Sequence, residues 1–211
     1  KHNKGKGVMI GKMDDIDPRV VTVIGAGVSG TQSILKAIDN NAIVKVVDSS
    51  QSKLDELQSK YGSNNIEYVL STQESIQSSI NDSDLVIGSV YVVGKEAPKV
   101  VKREMLSSMN PGTVMVDVSI DQGGCFETSK PTTHDNPTFL ENDIVHYCVT
   151  NMPGAVPLTA TEALNKVTLS YVENLANNGI QNALDSDEHL RNGLNILDGR
   201  IVHPGVKEAL E

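Results

Sequence analysis

A glycine-rich turn between an apolar run and a helical pattern constrains the fold of this chain more than any other feature. Arg19–Ile24 (RVVTVI) is mostly β-branched, and Gly25–Gly30 (GAGVSG) follows it with the spacing G-x-G-x-x-G. Apolar residues then recur at Ile34, Leu35 and Ile38, as on one face of a helix. A short β-branched run predicts a strand that is buried on both faces. Together these features predict the strand, turn and helix that open a dinucleotide-binding fold.

The chain up to Val149 continues to alternate between strand and helix patterns. Further strands are predicted over Ile43–Val47, Ile66–Leu70, Leu85–Ser89, Thr113–Val118 and Ile144–Val149, and further helices over Lys53–Tyr61, Gln73–Ile80 and Arg103–Ser108. Alternation of this kind requires parallel strands that are joined by right-handed crossovers. We therefore predict an α/β fold with a doubly wound, parallel, six-stranded Rossmann sheet.

Helical patterns without a strand series follow the turn at Asn151–Gly154. A long amphipathic helix is predicted over Thr159–Ala176, and shorter helices over Ile180–Leu184, over Glu188–Leu194 and from Pro204. One face of the long helix carries Ala163, Leu164, Val167, Tyr171 and Leu175. This tail is too short to bury a core of its own, so its apolar face must pack on another surface. We expect a linker over residues 1–18, a dinucleotide-binding domain over 19–156 and a helical tail over 157–211.

The charge balance and the apolar content argue against two broad classes of protein. The chain has 18 Lys and Arg against 27 Asp and Glu, which gives a net charge of −9. An acidic surface repels a phosphate backbone, so we expect no nucleic acid partner. The longest nearly apolar stretch, Leu85–Val93, is far too short to span a bilayer, so we expect no membrane anchor.

The cysteines, histidines and lysines give weaker indications. Cys125 and Cys148 have no C-x-x-C spacing, which favours reduced thiols in a cytoplasmic protein. None of the five histidines belongs to a cluster with metal-ligand spacing, so no metal site is expected. Lys95 and Lys99 are expected on a solvated surface.

The glycine turn has the spacing that a dinucleotide pyrophosphate requires. Gly25 allows the tight turn, Gly27 lets the backbone approach the pyrophosphate, and Gly30 lets helix and strand pack closely. The amides of Val28 and Ser29 would point at phosphate oxygens from the positive end of the helix. The alternative is a helix-packing glycine loop without a ligand. The flanking strand and helix favour the dinucleotide site.

An acidic residue at the end of the second predicted strand indicates which dinucleotide would bind. Asp48 lies 18 positions after Gly30, where a carboxylate can accept hydrogen bonds from the adenosine ribose hydroxyls. The same carboxylate would repel the 2′-phosphate of NADP, and the next residues, Ser49 and Ser50, carry no positive charge. The sequence therefore favours NAD over NADP.

The other predicted strands should end at the same crevice, because ligands of open α/β sheets bind outside the carboxyl ends of the strands. Ser71 follows the third strand, Val90 and Tyr91 the fourth, Val118–Asp121 the fifth and Val149–Met152 the sixth. Asp121 belongs to the run Asp-Gln-Gly-Gly, near the expected position of the nicotinamide. Its carboxylate could assist proton transfer or orient the cofactor amide. The alternative is an aspartate that only caps a turn.

The sequence resembles the alanine dehydrogenase family almost from end to end, and several motifs carry this resemblance. They include VIGAGVSG (23–30), VVD (46–48), DLVIGSV (84–90), MNPGTVMVDVSIDQGGCFETSKPTTH (109–134) and VHYCVTNMPGAVPLTAT (145–161). The run from Asp117 to His134 is far more specific than a generic Rossmann motif. Proton-translocating transhydrogenase alpha subunits are also similar, but they match less well in the DQGGC region.

The resemblance implies an NAD-dependent oxidative deamination of L-alanine to pyruvate and ammonia, and a homohexamer. By position, it implies that Asp48 binds the ribose and that Asp121 is catalytic. Lys130 stands where many members have Arg, so the bidentate fork of that side chain is lost. The other cofactor contacts that it implies are Lys53, Ser71, Val90, Tyr91, Val118, Ser119, Ile120, Val149, Thr150, Asn151 and Met152.

Family members carry a large amino-terminal segment to which no residue of this sequence corresponds. The resemblance implies that this segment forms most of a substrate domain and holds the catalytic His and the Arg and Lys that bind pyruvate. It also assigns the tail over 157–211 to that second domain. We therefore expect residues 1–211 alone to bind NAD without turnover. The alternatives are a binding module that never had turnover, or a transhydrogenase-like NAD-binding component.

Overall fold

The computed structural model describes residues 4–210, and a seven-stranded sheet is its central feature. The strand order is β3-β2-β1-β4-β5-β7-β6, and all neighbouring strands are parallel except β6 and β7. A crossover on each side of β1 makes the sheet doubly wound, which confirms the predicted fold class. The strands are β1 (Val20–Ile24), β2 (Ile43–Asp48), β3 (Ile66–Leu70), β4 (Leu85–Gly88), β5 (Val114–Asp117), β6 (Thr138–Glu141) and β7 (Ile144–Tyr147).

The prediction of six parallel strands was wrong by one strand at the edge of the sheet. β6 pairs with β7 in antiparallel register, and the two strands are joined by Asn142 and Asp143. Both connecting residues have positive φ angles, 50° and 60°, as a tight two-residue hairpin requires. An edge strand of this length has only one neighbour and carries little hydrophobic pattern, so its sequence did not reveal it.

Three α-helices connect the parallel strands and begin at residues suited to helix starts. They are α1 (Val28–Asp39), α2 (Gln51–Tyr61) and α3 (Gln73–Asn81). The Lys53 N–H donates to Ser50 Oγ at the start of α2, and Thr72 and Ser75 form a capping box at the start of α3. The predicted helix at Arg103–Ser108 is present as a 3₁₀ helix. Two further 3₁₀ turns cover Ile120–Gln122 and Met152–Ala155.

Apolar side chains fill both faces of the sheet. One core cluster packs α1 and α2 on the sheet, and its buried members include Val21, Val23, Ile34, Val44, Val46, Leu54 and Leu57. The other packs α3 and the Phe126 segment on the opposite face, with Val47, Ile76, Ile80, Val86, Leu106, Met115 and Phe126 among its buried members. Each such side chain contributes about 1.5–3 kcal/mol when it is removed from water. The burial of both faces explains why the strands consist of continuous apolar runs.

The described chain divides into two compact units. The first extends to Val92 and includes Glu96–Thr150, and the second comprises Val93–Lys95 and the residues from Asn151 onward. The second unit contains α4 (Pro157–Ser186), α5 (Glu188–Asn192), β8 (Ile196–Leu197), β9 (Arg200–Ile201) and α6 (Pro204–Leu210). Gly179 interrupts α4 with a φ of 72°, which separates the predicted long helix from the shorter one after it. The assignment of this tail to a substrate domain stays a prediction.

Within residues 4–210, no helix combines the length and the apolar character that crossing a bilayer requires.

Candidate functional site

A cleft of about 690 Å³ opens at the carboxyl ends of β1, β2, β4 and β5. This is the edge at which open α/β sheets bind their ligands, and the volume suits a small-molecule ligand. The lining residues come from the last residues of the strands and from the segments that follow them. They are Ile24, Gly25, Gly27, Val28, Ser29, Val47, Asp48, Ser49, Ser71, Ser89, Val90, Tyr91, Pro98, Val100, Val118, Ser119 and Gln122.

The folded backbone leaves no room for a side chain at two glycines of the turn after β1. Gly25 has a φ of 93°, and a Cβ there would lie 2.7 Å from the carbonyl oxygen of Ser89. A Cβ on Gly30 would lie 1.8 Å from the carbonyl oxygen of Gly25, so α1 could not pack this closely on the turn. Gly30 is buried and does not line the cleft. These two positions therefore need glycine whether or not a ligand binds.

Gly27 lines the cleft and is not required by the fold in this way. Its φ is −66°, which any residue can adopt, and no atom of the described residues lies within 4 Å of a Cβ built on it. It is the N-cap of α1, and no side chain caps the first turn there. The first amides of this 12-residue helix therefore lie at its positive end, beside the cleft. The absent side chain and the helix terminus fit an anionic group that lies close to the backbone.

Asp48 is held in place by two backbone amides. The Ala26 N–H donates to its Oδ2 at 2.6 Å, and the Ser50 N–H donates to its Oδ1 at 2.8 Å. The carboxylate thus ties the glycine turn to the start of α2. Carboxylate oxygens have more lone pairs than these two bonds use, so Asp48 can also accept hydrogen bonds from hydroxyl groups in the cleft. The sequence indicated the ligand role of Asp48 but not this anchoring role.

The loop after β5, Val118–Gly124, forms the far side of the cleft and is called the β5 loop below. Val118, Ser119 and Gln122 line the cleft, and Ser119 Oγ donates to the Val90 carbonyl at 2.8 Å. Asp121 lies in the 3₁₀ turn of this loop, exposed and next to Gln122, but outside the lining. Ile120 is buried beneath the loop. The proposed catalytic aspartate is therefore at the rim of the cleft.

Most of the residues that the sequence predicted to contact the cofactor line the cleft. The others lie elsewhere in the first unit or belong to the second unit. Lys53 is in the first turn of α2 and pairs with Glu56 at 3.0 Å. Lys130 pairs with Glu141 of β6 at 3.6 Å and lies over the ring of Phe139. Two more predicted contacts lie outside the lining: Val149 is buried, and the Thr150 N–H donates to the Thr132 carbonyl. Asn151 and Met152 belong to the second unit. Their cofactor roles stay predictions.

The sequence reasoning missed several lining residues, of which Ser89 is the most informative. Ser89 Oγ donates to the carbonyl oxygen of Gly25 at 2.7 Å and lies 3.3 Å from that of Ile24, so it fixes the glycine turn from β4. The available signal was a hydroxyl residue at the end of an otherwise apolar run. The other missed residues are Ile24, Val47, Ser49, Pro98, Val100 and Gln122.

The buried titratable groups of the first unit do not line the cleft. Burial raises the pKa of the Cys125 thiol well above its usual range, and the adjacent Asp117 raises it further. Burial likewise raises the pKa of Cys148. Burial lowers the pKa of His146, whose Nε2 lies 2.7 Å from Thr128 Oγ1. These three groups are therefore uncharged core residues at neutral pH, without a nucleophilic or basic role in the cleft.

Known proteins resemble this chain along nearly its whole length. The family described as alanine dehydrogenase/PNT, C-terminal domain, matches residues 1–204. An alanine dehydrogenase of Halomonas elongata is 46% identical over 209 residues, which are 99% of this chain and 56% of that relative. A solved L-alanine dehydrogenase structure is 42% identical, with a TM-score of 0.87, over 99% of this chain and 57% of its own.

A transhydrogenase structure from Sinorhizobium meliloti shares the fold at lower similarity. It is 24% identical, with a TM-score of 0.70, over 90% of this chain and 51% of its own. The chain thus spans little more than half the length of these three proteins.

Proposed function

This chain belongs to the alanine dehydrogenase/PNT C-terminal domain family, and we propose that it is the NAD-binding portion of an L-alanine dehydrogenase. The observation that carries the proposal is Gly27, whose missing side chain leaves space in the cleft that no residue between 4 and 210 fills. The proposed reaction of the whole protein converts L-alanine, NAD and water to pyruvate, ammonia and NADH.

The order of the strands supports one orientation of the cofactor in the cleft. Asp48 ends β2 and Ser71 follows β3, so the adenosine would lie at this side. The amides of Val28 and Ser29 would hold the pyrophosphate, and the β5 loop would contact the nicotinamide at the other side. When bound, the nicotinamide ring supplies the acceptor for the hydride of the substrate. From the rim, Asp121 would take up a proton or hold the cofactor amide.

The proposal extends to assembly and location. A homohexamer agrees with the family resemblance, and a cytoplasmic location agrees with two buried cysteines that are not joined by a disulfide. L-Alanine and pyruvate would be partners of the complete protein.

Calorimetric titration of NAD and NADP into the purified chain tests the cofactor assignment. We expect NAD to bind at least about tenfold more tightly, because Asp48 would face the desolvated 2′-phosphate of NADP. Asp48→Ala should reduce this preference. Asp55→Ala, which removes the same charge from the exposed side of α2, should leave the preference unchanged. Equal affinities of the unaltered chain for NAD and NADP would contradict the assignment.

A further inference from the structure

Asp117, at the end of β5, is a buried carboxylate that accepts hydrogen bonds from the start of the β5 loop and from residues just after its end. Its side chain is 0% exposed. Its Oδ1 accepts the Ser119 N–H at 3.0 Å, and its Oδ2 accepts the Cys125 N–H at 2.8 Å. Phe126 N–H and Ser129 Oγ also donate to Oδ2, at 3.2 and 2.5 Å. A buried carboxylate is costly unless donors surround it, and here the donors are largely the backbone of the loop and its continuation.

Gly124 allows this approach of the loop to Asp117. Its φ is 80°, and a Cβ there would lie 2.7 Å from Asp117 Oδ2. The last residue of the β5 loop therefore needs glycine both for its backbone conformation and for contact with the carboxylate.

Lys99 also holds the β5 loop, through the carbonyl oxygens of its last two residues. Its ammonium donates to the carbonyl oxygen of Gly124 at 2.6 Å and also to that of Gly123. Lys99, which the sequence predicted on a solvated surface, is half-buried and also bonds this loop. The backbone next to Lys99 also bonds the β5 loop, because the Ala97 N–H donates to the Gln122 carbonyl at 2.9 Å. Pro98 and Val100, on either side of Lys99, line the cleft.

We propose that Asp117 and Lys99 are positioning residues that set the β5 loop against the nicotinamide half of the cofactor. This inference rests on the proposed function, because it takes the cleft to be the NAD site. The two side chains do not line the cleft, so they act through the loop residues that do, Val118, Ser119 and Gln122. In the sequence, Asp121 lies between Ser119, which Asp117 bonds, and Gly123, which Lys99 bonds, so we expect its position to depend on both side chains.

Asp117→Asn alters the hydrogen bonds of Asp117 while it keeps a polar side chain of the same size there. An amide can present its oxygen to the three donors at Oδ2, but its NH₂ group then faces the Ser119 N–H at Oδ1. The substitution thus removes the acceptor of the Ser119 N–H and of the Cys125 thiol at Oδ1. It retains the acceptor of the Cys125 and Phe126 N–H groups and of Ser129 Oγ at Oδ2. Lys99→Met removes the hydrogen bonds from the Lys99 ammonium to the loop carbonyls. Because position 99 is partly exposed, the chain should still fold.

The experiment compares titrations of NADH and of ADP-ribose, which lacks the nicotinamide. We expect each variant to bind NADH about tenfold more weakly and ADP-ribose within about twofold of the unaltered chain. The emission of bound NADH should also move toward that of the free cofactor, because it reports the surroundings of the nicotinamide ring. Thr113→Val, which breaks a buried hydrogen bond to the Ser83 carbonyl just before β5, at the other end of that strand from Asp117, is the matched control and should change neither affinity.

Two results would overturn the inference while leaving the proposed function intact. One is NADH binding by Asp117→Asn and Lys99→Met that equals that of the unaltered chain. The other is an equal loss for NADH and ADP-ribose in these variants, which indicates general destabilisation. If the unaltered chain binds neither compound, the proposed function fails and the positioning role fails with it.

Discussion

Gly27 has a backbone conformation that any residue can adopt and an open space where its side chain would be. We therefore expect Gly27→Val to fold, with a free energy of unfolding within about 1 kcal/mol of the unaltered chain, as is typical of a changed N-cap. NAD affinity should fall by more than about tenfold, because the new side chain projects into the cleft. Thermal unfolding and calorimetric titration measure the two effects.

Gly30→Val provides the contrast at the same turn. Its Cβ would collide with the Gly25 carbonyl, so this variant should lose stability as well as NAD binding. Normal NAD binding by Gly27→Val would show that the glycine turn does not hold the pyrophosphate.

His146 makes the stability of the first unit depend on pH. Burial lowers its pKa in the folded chain, so the unfolded chain takes up a proton at higher pH than the folded one. The His146 contribution is complete above the unfolded pKa of about 6.5 and is lost as the pH falls below it. This loss is at most about 1.4 kcal/mol per pH unit.

Urea unfolding at several pH values, from about 7 to about 5, tests this linkage by comparing the unaltered chain with His146→Gln. The free energy of unfolding of the unaltered chain should fall more steeply than that of the variant, because glutamine does not titrate. Parallel curves would mean that His146 has the same pKa in the folded and unfolded chains.

At the scale of elements, α4 exposes apolar side chains on the face that the sequence predicted to pack. Leu164 and Val167 are 60% and 62% exposed, while Tyr171 and Leu175 are half-buried. Other exposed apolar residues of this helix are Leu158, Leu169, Val172 and Ile180. An exposed apolar surface of this kind favours association.

We expect light scattering to show an oligomer, and a hexamer would agree with the family resemblance. A double variant, Leu164→Glu with Val167→Glu, should shift the chain toward the monomer. Lys166→Glu, at an exposed neighbouring position of α4, changes charge without removing apolar surface and should not have this effect. A monomeric unaltered chain at high concentration would count against the prediction.

At the scale of the whole molecule, we expect residues 1–211 alone to bind NAD but to show no measurable alanine dehydrogenation. The substrate carboxylate needs a cationic anchor, and the described residues that line the cleft include no Lys or Arg. Asp121 cannot supply that anchor, because its carboxylate repels the carboxylate of the substrate. Loss of orientation costs about 7–11 kcal/mol of barrier lowering, or about five to eight powers of ten in rate.

The measurement is NADH formation with saturating L-alanine and NAD at alkaline pH, on a chain of verified mass. Turnover that appears only when a separate amino-terminal segment is added would agree with a substrate domain outside these residues. Robust turnover by this chain alone would show that the substrate anchor has been misplaced.

Much of the fold and one side of the cleft could be predicted because they depend on local patterns. The β-branched runs and the glycine spacing each extend over a few consecutive residues, and they correctly indicated β1–β5 and β7 and the turn after β1. β6 was missed because a four-residue edge strand carries too little pattern. Asp48 could be found because its position after a strand is itself a sequence feature.

The sequence by itself determined the doubly wound fold, the place of the cleft and the acid, Asp48, that ends β2 in its lining. Only the tertiary structure decided how the cleft is held in shape. Ser89 bonds Gly25 across 64 positions, Lys99 bonds Gly124 across 25, and Asp117 bonds Ser129 across 12. The physical reason is that a hydrogen bond between distant residues depends on where the folded backbone places donor and acceptor. Local sequence periodicity does not determine that placement.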